Sequence, residues 1–155
     1  MRAPSPIATP ARPLDPTLDF MRLLWEIEHH LQSTSKVMGA TLGITGPQRL
    51  VLKVVAERPG MSAGEVADLV RLHPSTITGI LKRLSKKGLL VRAQDPIDTR
   101  RVQLRVLPAA RRFTKQTKGT VEYSVERALT RLPAASIRAA REVLGAIATS
   151  LESRS

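Results

Sequence analysis

HPSTITGILKRLSKKG, residues 73 to 88, reads as one short, strongly amphipathic helix. Pro74 suits the first helical position, where a missing N–H costs nothing and φ is already helical. Gly88 stands where a left-handed cap would end the helix, and Lys86 and Lys87 complement the negative end of its dipole. Ile77, Ile80, Leu81 and Leu84 recur at three and four residues, which marks one buried stripe. The other side carries Ser75, Thr76, Thr78, Gly79, Lys82, Arg83 and Lys86: small groups first, cations later, and no carboxylate. A solvated surface helix normally mixes both signs of charge. A helix in a DNA groove puts short side chains near base edges and cations on phosphates. The helix alone leaves both readings open.

Its neighbours narrow the choice. Thr45-Gly46-Pro47 turns into a helix from residue 47 to about 57, with Leu50, Val51, Val54 and Val55 as its apolar stripe. Arg58-Pro59-Gly60 stops it. Ser62 and Glu65 make an S-x-x-E capping box for a third helix, which buries Val66, Leu69 and Val70. Arg71-Leu72-His73 is then a tight connection. After Gly88 the period becomes two: residues 89–94 and 102–107 read as strands. In the second, Val102, Leu104 and Val106 alternate with Gln103 and Arg105. Between the strands, DPIDTRR (residues 95–101) makes a polar hairpin loop tipped with two arginines.

Further out, the signals weaken. Residues 1–17 hold Pro4, Pro6, Pro10, Pro13 and Pro16 with little to bury, so a disordered tail is expected. A helix from residue 18 to about 38 aligns Phe20, Leu23, Leu24, Ile27 and Leu31. A helical region runs from Pro108 to about residue 132, with a kink expected near Gly119 and its β-branched neighbours. Pro133 resets the chain for a last helix, whose Ile137, Leu144, Ile147 and Leu151 suit a partner helix. The expected division is residues 46–107 as a DNA-binding unit, and 18–45 with 108–155 as a helical dimerisation region. The fold class is mainly α with a small β-hairpin.

Composition bounds the function. The 155 residues carry a formal charge of +12, with 42% hydrophobic but only 3% aromatic content. One domain, or two small units sharing an aliphatic core, fits that length. The charge suggests a polyanion, nucleic acid before acidic membrane. Residues 46–107 hold twelve Lys/Arg and five Asp/Glu, so the excess gathers around the basic helix and hairpin. No apolar run can span a membrane and no apolar leader is present, so a cytoplasmic, nucleoid-associated protein of a bacterial or archaeal cell is expected. Zero cysteines exclude disulfides and thiol sensing, and three histidines leave little for a metal site. Neither metal nor cofactor is expected. Without a Gly-rich phosphate loop, an H-x-x-x-H pair or a G-x-S-x-G elbow, the chain does not read as an enzyme.

Capped helix, tight turn, basic helix and arginine-tipped hairpin, in that order, make a winged helix-turn-helix. The first helix of the pair braces the second, which fits the major groove. The hairpin reaches towards the minor groove, whose negative potential favours arginine. HPSTITGILKRLSKKGLLVRAQDPIDTRRVQLRVLP, residues 73–108, strongly resembles the recognition helix and wing of MarR-type (multiple antibiotic resistance regulator) transcriptional regulators. With its flanking helices the resemblance extends over about residues 18–152. It implies a homodimer with interlocked terminal helices, each winged helix-turn-helix reading half of a pseudo-palindromic operator. It also implies a small effector, often phenolic or otherwise aromatic, bound between the two regions.

Matched position by position, the resemblance implies Ser75, Thr76, Thr78 and Gly79 near base edges, with Lys82, Arg83 and Lys86 near bases or phosphates. In the D-x-R pattern Asp98-Thr99-Arg100, it implies that Asp98 orients Arg100 for the minor groove; the plainer alternative is a turn-forming aspartate. Arg101 is the next wing candidate. Ser62 is either a phosphate contact or simply a helix cap. One departure is Val106-Leu107-Pro108-Ala109-Ala110, where the family commonly has a capping threonine, worth about 0.5–2 kcal/mol. Pro108 offsets part of that loss by presetting φ.

The expected function is therefore a sequence-specific, double-stranded-DNA-binding transcriptional regulator, a repressor released by a small molecule. The alternative is an architectural protein that coats DNA without sequence preference; the uncharged first half of the recognition face argues against it. For an effector cleft, Trp25, His29, Gln32, Arg49 and Arg111 are candidates that no sequence signal selects.

Overall fold

The computed structural model describes residues 13–115 and 117–152. Most of the expected tail, residues 1–12, lies outside them. Helix α1 spans Pro16–Thr41, starting two residues earlier than expected, because the Asp15 side chain accepts the Thr17 N–H at 2.9 Å and Pro16 takes the first position. Helix α2 spans Gly46–Glu57, and the Gln48 side chain accepts the Thr45 N–H at 3.3 Å. Gly46 packs closely against α1: a Cβ there would meet the Ser35 Oγ at 3.3 Å, so Ser35 would have to give slightly. Helix α2 buries Val51, Leu52 and Val55, whereas Leu50, expected inside, is 48% exposed.

Helix α3, Ala63–Val70, opens with the expected capping box: the Ser62 Oγ accepts the Glu65 N–H, and the Glu65 carboxylate accepts the Ser62 N–H at 2.6 Å. Arg71 closes it in a left-handed conformation, φ 51°. Helix α4, Pro74–Lys86, buries the four apolar residues of the stripe, Ile77, Ile80, Leu81 and Leu84. Gly88 follows at φ +67° and turns the chain into the wing.

Strands β1 (Leu90–Gln94) and β2 (Val102–Val106) pair antiparallel, with Leu90 opposite Val106 and Gln94 opposite Val102. The Leu104 N–H donates to the Met61 carbonyl at 2.8 Å, which anchors the base of the hairpin to the segment before α3. Leu104 is buried and Val106 half-buried, but Val102 is 46% exposed because it lies towards the tip, beyond the core. The core itself is almost wholly aliphatic. Ile44, Val51, Leu52, Val55, Val66, Ile77, Leu81, Leu84, Leu90 and Leu104 surround α4, and the core runs on to Ala110 and Phe113.

The long helix expected after the wing is broken rather than kinked. A 3-10 turn at Pro108–Ala110 takes the place of the missing threonine cap, and α5 lasts only from Arg111 to Thr114. Gly119 adopts φ +78°, and buried Thr120 caps α6, Val121–Leu129. Helix α7 spans Ala134–Glu152. Helices α6 and α7 bury no residue within the single chain, and Val125, Leu129, Val143 and Leu144 stand exposed. So do Phe20, Leu23, Ile27 and Leu31 of α1. The terminal helices thus leave apolar surface uncovered in one copy.

Candidate nucleic-acid interface

Burial of its stripe turns the other face of α4 outward. Ser75, Thr76, Thr78, Lys82, Arg83 and Lys86 are all exposed and Gly79 is partly so. The small groups differ in what they can offer. The Ser75 Oγ lies 2.7 Å from the His73 Nδ1, and the Thr78 Oγ1 donates to the Pro74 carbonyl at 2.9 Å. Thr78 therefore presents acceptor lone pairs and a methyl group, suited to a base amino group or a thymine methyl. A Cβ at Gly79 would meet nothing within 4 Å, so the bare backbone leaves room for close approach. Among the described residues, none of Lys82, Arg83 and Lys86 is paired with a carboxylate. Lys87 is different: its Nζ donates to the Gly43 carbonyl at 2.6 Å, tying the end of α4 to the turn after α1.

The wing is built around a residue the sequence reading passed over. Asp95, nearly buried, accepts the Ile97 N–H at 2.8 Å and the Asp98 N–H at 3.3 Å through one oxygen, and the Gln103 amide through the other. Its carboxyl is held below the usual range chiefly by the Ile97 N–H, against the burial that would raise it. Asp95-Pro96 is the kind of pair that opens an Asx turn, so a local signal existed. Asp98 accepts the backbone N–H of Arg100 at 3.0 Å. Asp98 thus shapes the turn that carries Arg100 through the backbone N–H, rather than gripping the guanidinium. Among the described residues the Arg100 side chain has no carboxylate partner.

Arg101 is engaged. Its Nη2 donates to both oxygens of Glu65, at 2.6 and 2.8 Å. Glu65 is lowered from 4.5 to about 2, first by the Ser62 N–H and then by Arg101. Arg101 is raised in return by the same carboxylate. Ser62 acts as the helix cap, the simpler of its two expected roles.

A basic recognition helix packed behind a capped brace helix and beside an arginine-tipped hairpin is a winged helix-turn-helix. Residues 44–102 match the model of the MarR family. That segment spans the helix-turn-helix and most of the wing, and over it the chain is similar to MarR-family regulators. It is 28% identical over 106 residues to the HTH-type transcriptional regulator YsmB of Bacillus subtilis, covering 68% of this chain and 73% of YsmB. CouR from Rhodococcus jostii RHA1, solved with p-coumaroyl-CoA bound, is 26% identical with a TM-score of 0.69, covering 84% of this chain and 92% of CouR. The S. aureus MepR–DNA complex shares the fold at a TM-score of 0.68 and 18% identity, covering 85% of this chain and 97% of MepR. This MarR-type chain is a DNA-binding transcriptional regulator.

A cleft of about 560 Å³ lies between α1, α2 and α6, lined by Leu31, Leu50, Val54, Leu72, Val121 and Val125. Gln32 is the one effector candidate from the sequence that reaches it. Trp25 and His29 are exposed elsewhere on α1, and Arg111 lines a different hollow beside Pro59 and Gln103. Arg49 is buried, bound to Glu122 and the Lys115 carbonyl, and so is structural. Leu50, outside the core, finds its place in this cleft. No helix among the described residues is long and apolar enough to cross a membrane.

Proposed function

We propose that the protein is a repressor that binds a pseudo-palindromic operator as a homodimer and is released by a small molecule. One observation carries the reading: the exposed face of α4 combines neutral groups at its start with cations at its end, and among the described residues neither these nor the neighbouring Arg100 has a carboxylate partner. On this reading Ser75, Thr76, Thr78 and Gly79 discriminate bases. Lys82, Arg83 and Lys86 hold phosphates, and Arg100, on the turn set by Asp98, enters the minor groove. The uncovered apolar faces of α1, α6 and α7 join two copies, which places two recognition helices on successive major grooves. A bound dimer then blocks the promoter it covers.

The effector of this reading is an apolar, aromatic molecule in the cleft between α1, α2 and α6. It touches the recognition unit through Leu50, Val54 and Leu72 and the dimerisation helices through Leu31, Val121 and Val125, so occupancy couples the two. No metal or other cofactor is part of the proposal, nor is any catalytic step. The protein works in the cytoplasm.

Selection of bound duplexes from random sequence, followed by footprinting, tests it. Two inverted half-sites about one helical turn apart, roughly 10 base pairs between centres, are expected. Recovery of unrelated sequences with uniform protection would instead mark an architectural protein.

A further inference from the structure

The two wing arginines are neighbours with opposite fates. Among the described residues Arg100 has no carboxylate partner, whereas Arg101 reaches back over 36 positions to clasp both oxygens of Glu65. Glu65 is not a loose surface residue, since the same carboxylate holds the Ser62 N–H in the capping box of α3. The clasp therefore joins the far end of the hairpin to the first turn of the brace helix.

The hairpin needs such a link. A two-stranded ribbon is marginally stable alone, and here only its base is held by the core. Beyond Leu104 the tip is open: Val102 is 46% and Ile97 95% exposed. The hydrogen bonds of Asp95 to Ile97, Asp98 and Gln103 all lie within the hairpin. Among the described residues, Glu65–Arg101 is the ion pair that sets the tip against the helix-turn-helix.

We propose that Glu65 is a positioning residue for operator recognition, and that Arg101 is its strut rather than a DNA contact. The pair fixes the angle of the wing, and with it the point at which Arg100 meets the DNA. This rests on the DNA-binding reading above and removes Arg101 from the set of base and phosphate contacts. A phosphate that drew Arg101 away would leave the Glu65 carboxylate facing a polyanion, an unfavourable exchange. The clasp therefore persists in the complex.

Operator affinity of the full chain is measured over a series of salt concentrations for R101M, E65Q, the double variant and R100A. Glutamine at 65 keeps an acceptor for the Ser62 N–H, so the α3 cap survives; unfolding midpoints verify that each variant is folded. Each of R101M and E65Q should weaken binding by about 2- to 5-fold, and the double variant should be no weaker than the weaker single. The salt slope of R101M should equal that of the wild type, while that of R100A should fall by about 0.9. A reduced slope for R101M, with its loss repeated in full in the E65Q background, would overturn the proposal and make Arg101 a phosphate contact. Tighter binding by E65Q, or no change in either single variant, would overturn it too. Failure of the wild type to select any operator would instead defeat the regulator reading, so the two failures are distinguishable.

Discussion

Arg49 of α2 and Glu122 of α6, 73 positions apart, form an ion pair in which the arginine side chain is only 1% exposed. The other arm of the guanidinium binds the carbonyl of Lys115, a group left open where the helix after the wing breaks. One buried side chain thus seals the joint between the DNA-binding unit and the helices that follow. Replacing Arg49 with alanine would strand both partners. Breaking a buried pair costs about 3–5 kcal/mol, but Glu122 is 30% exposed and water recovers part of it. A loss of roughly 2–3 kcal/mol is expected, read as a lower urea midpoint with an unchanged slope.

Arg100→Ala should weaken operator binding about 10-fold or more, within the range of a specific base-reading contact. Among the described residues its side chain has no carboxylate partner, so the unfolding midpoint should stay where it is. Fluorescence anisotropy with a labelled operator, set beside thermal unfolding, checks both. Undiminished affinity would remove Arg100 from the interface.

Gly88→Ala tests the hinge between recognition helix and wing. A Cβ there would touch nothing within 4 Å, so its cost comes from the backbone alone, at φ +67°. About 1–2 kcal/mol of stability should be lost. Gly79→Ala, on the same helix at ordinary φ, should instead gain slightly in stability through helix propensity while altering DNA binding.

Acid should undo the Glu65 clasp only at low pH. The carboxyl titrates at about 2 in the folded chain against an ordinary 4.5. The stability it contributes is therefore complete above about 4.5 and disappears as the pH falls towards 2. The gap in unfolding midpoint between wild type and E65Q should be constant from pH 7 to 5 and close below pH 4. A gap that closes near neutrality would contradict the depressed value.

Much of the recognition unit was legible because its signals are local. Pro74, Gly88, the buried stripe of α4 and the Ser62–Glu65 box each act within a turn or two, through backbone geometry and hydrogen bonds close along the chain. The hairpin was legible for the same reason: the period changes, then changes back. Errors came where two faces compete. Leu50 was expected in the core and Leu52 was not, because the stripe of α2 can be drawn on either side. The break after α5 was read only as a kink, since Gly119 weakens a helix without saying where Lys115 will find a partner for its carbonyl.

By itself, then, the sequence determined the basic helix α4, its caps, the wing beside it and the order that makes them a winged helix-turn-helix. Hydrophobic period and capping chemistry require only near neighbours. Tertiary structure alone decided which charges remain free. Arg49, Arg100 and Arg101 look equivalent as letters, yet one is buried against Glu122, one stands open, and one is clasped by Glu65. An arginine's role depends on which carboxylate comes within about 3 Å, and only the packing of distant segments brings it there.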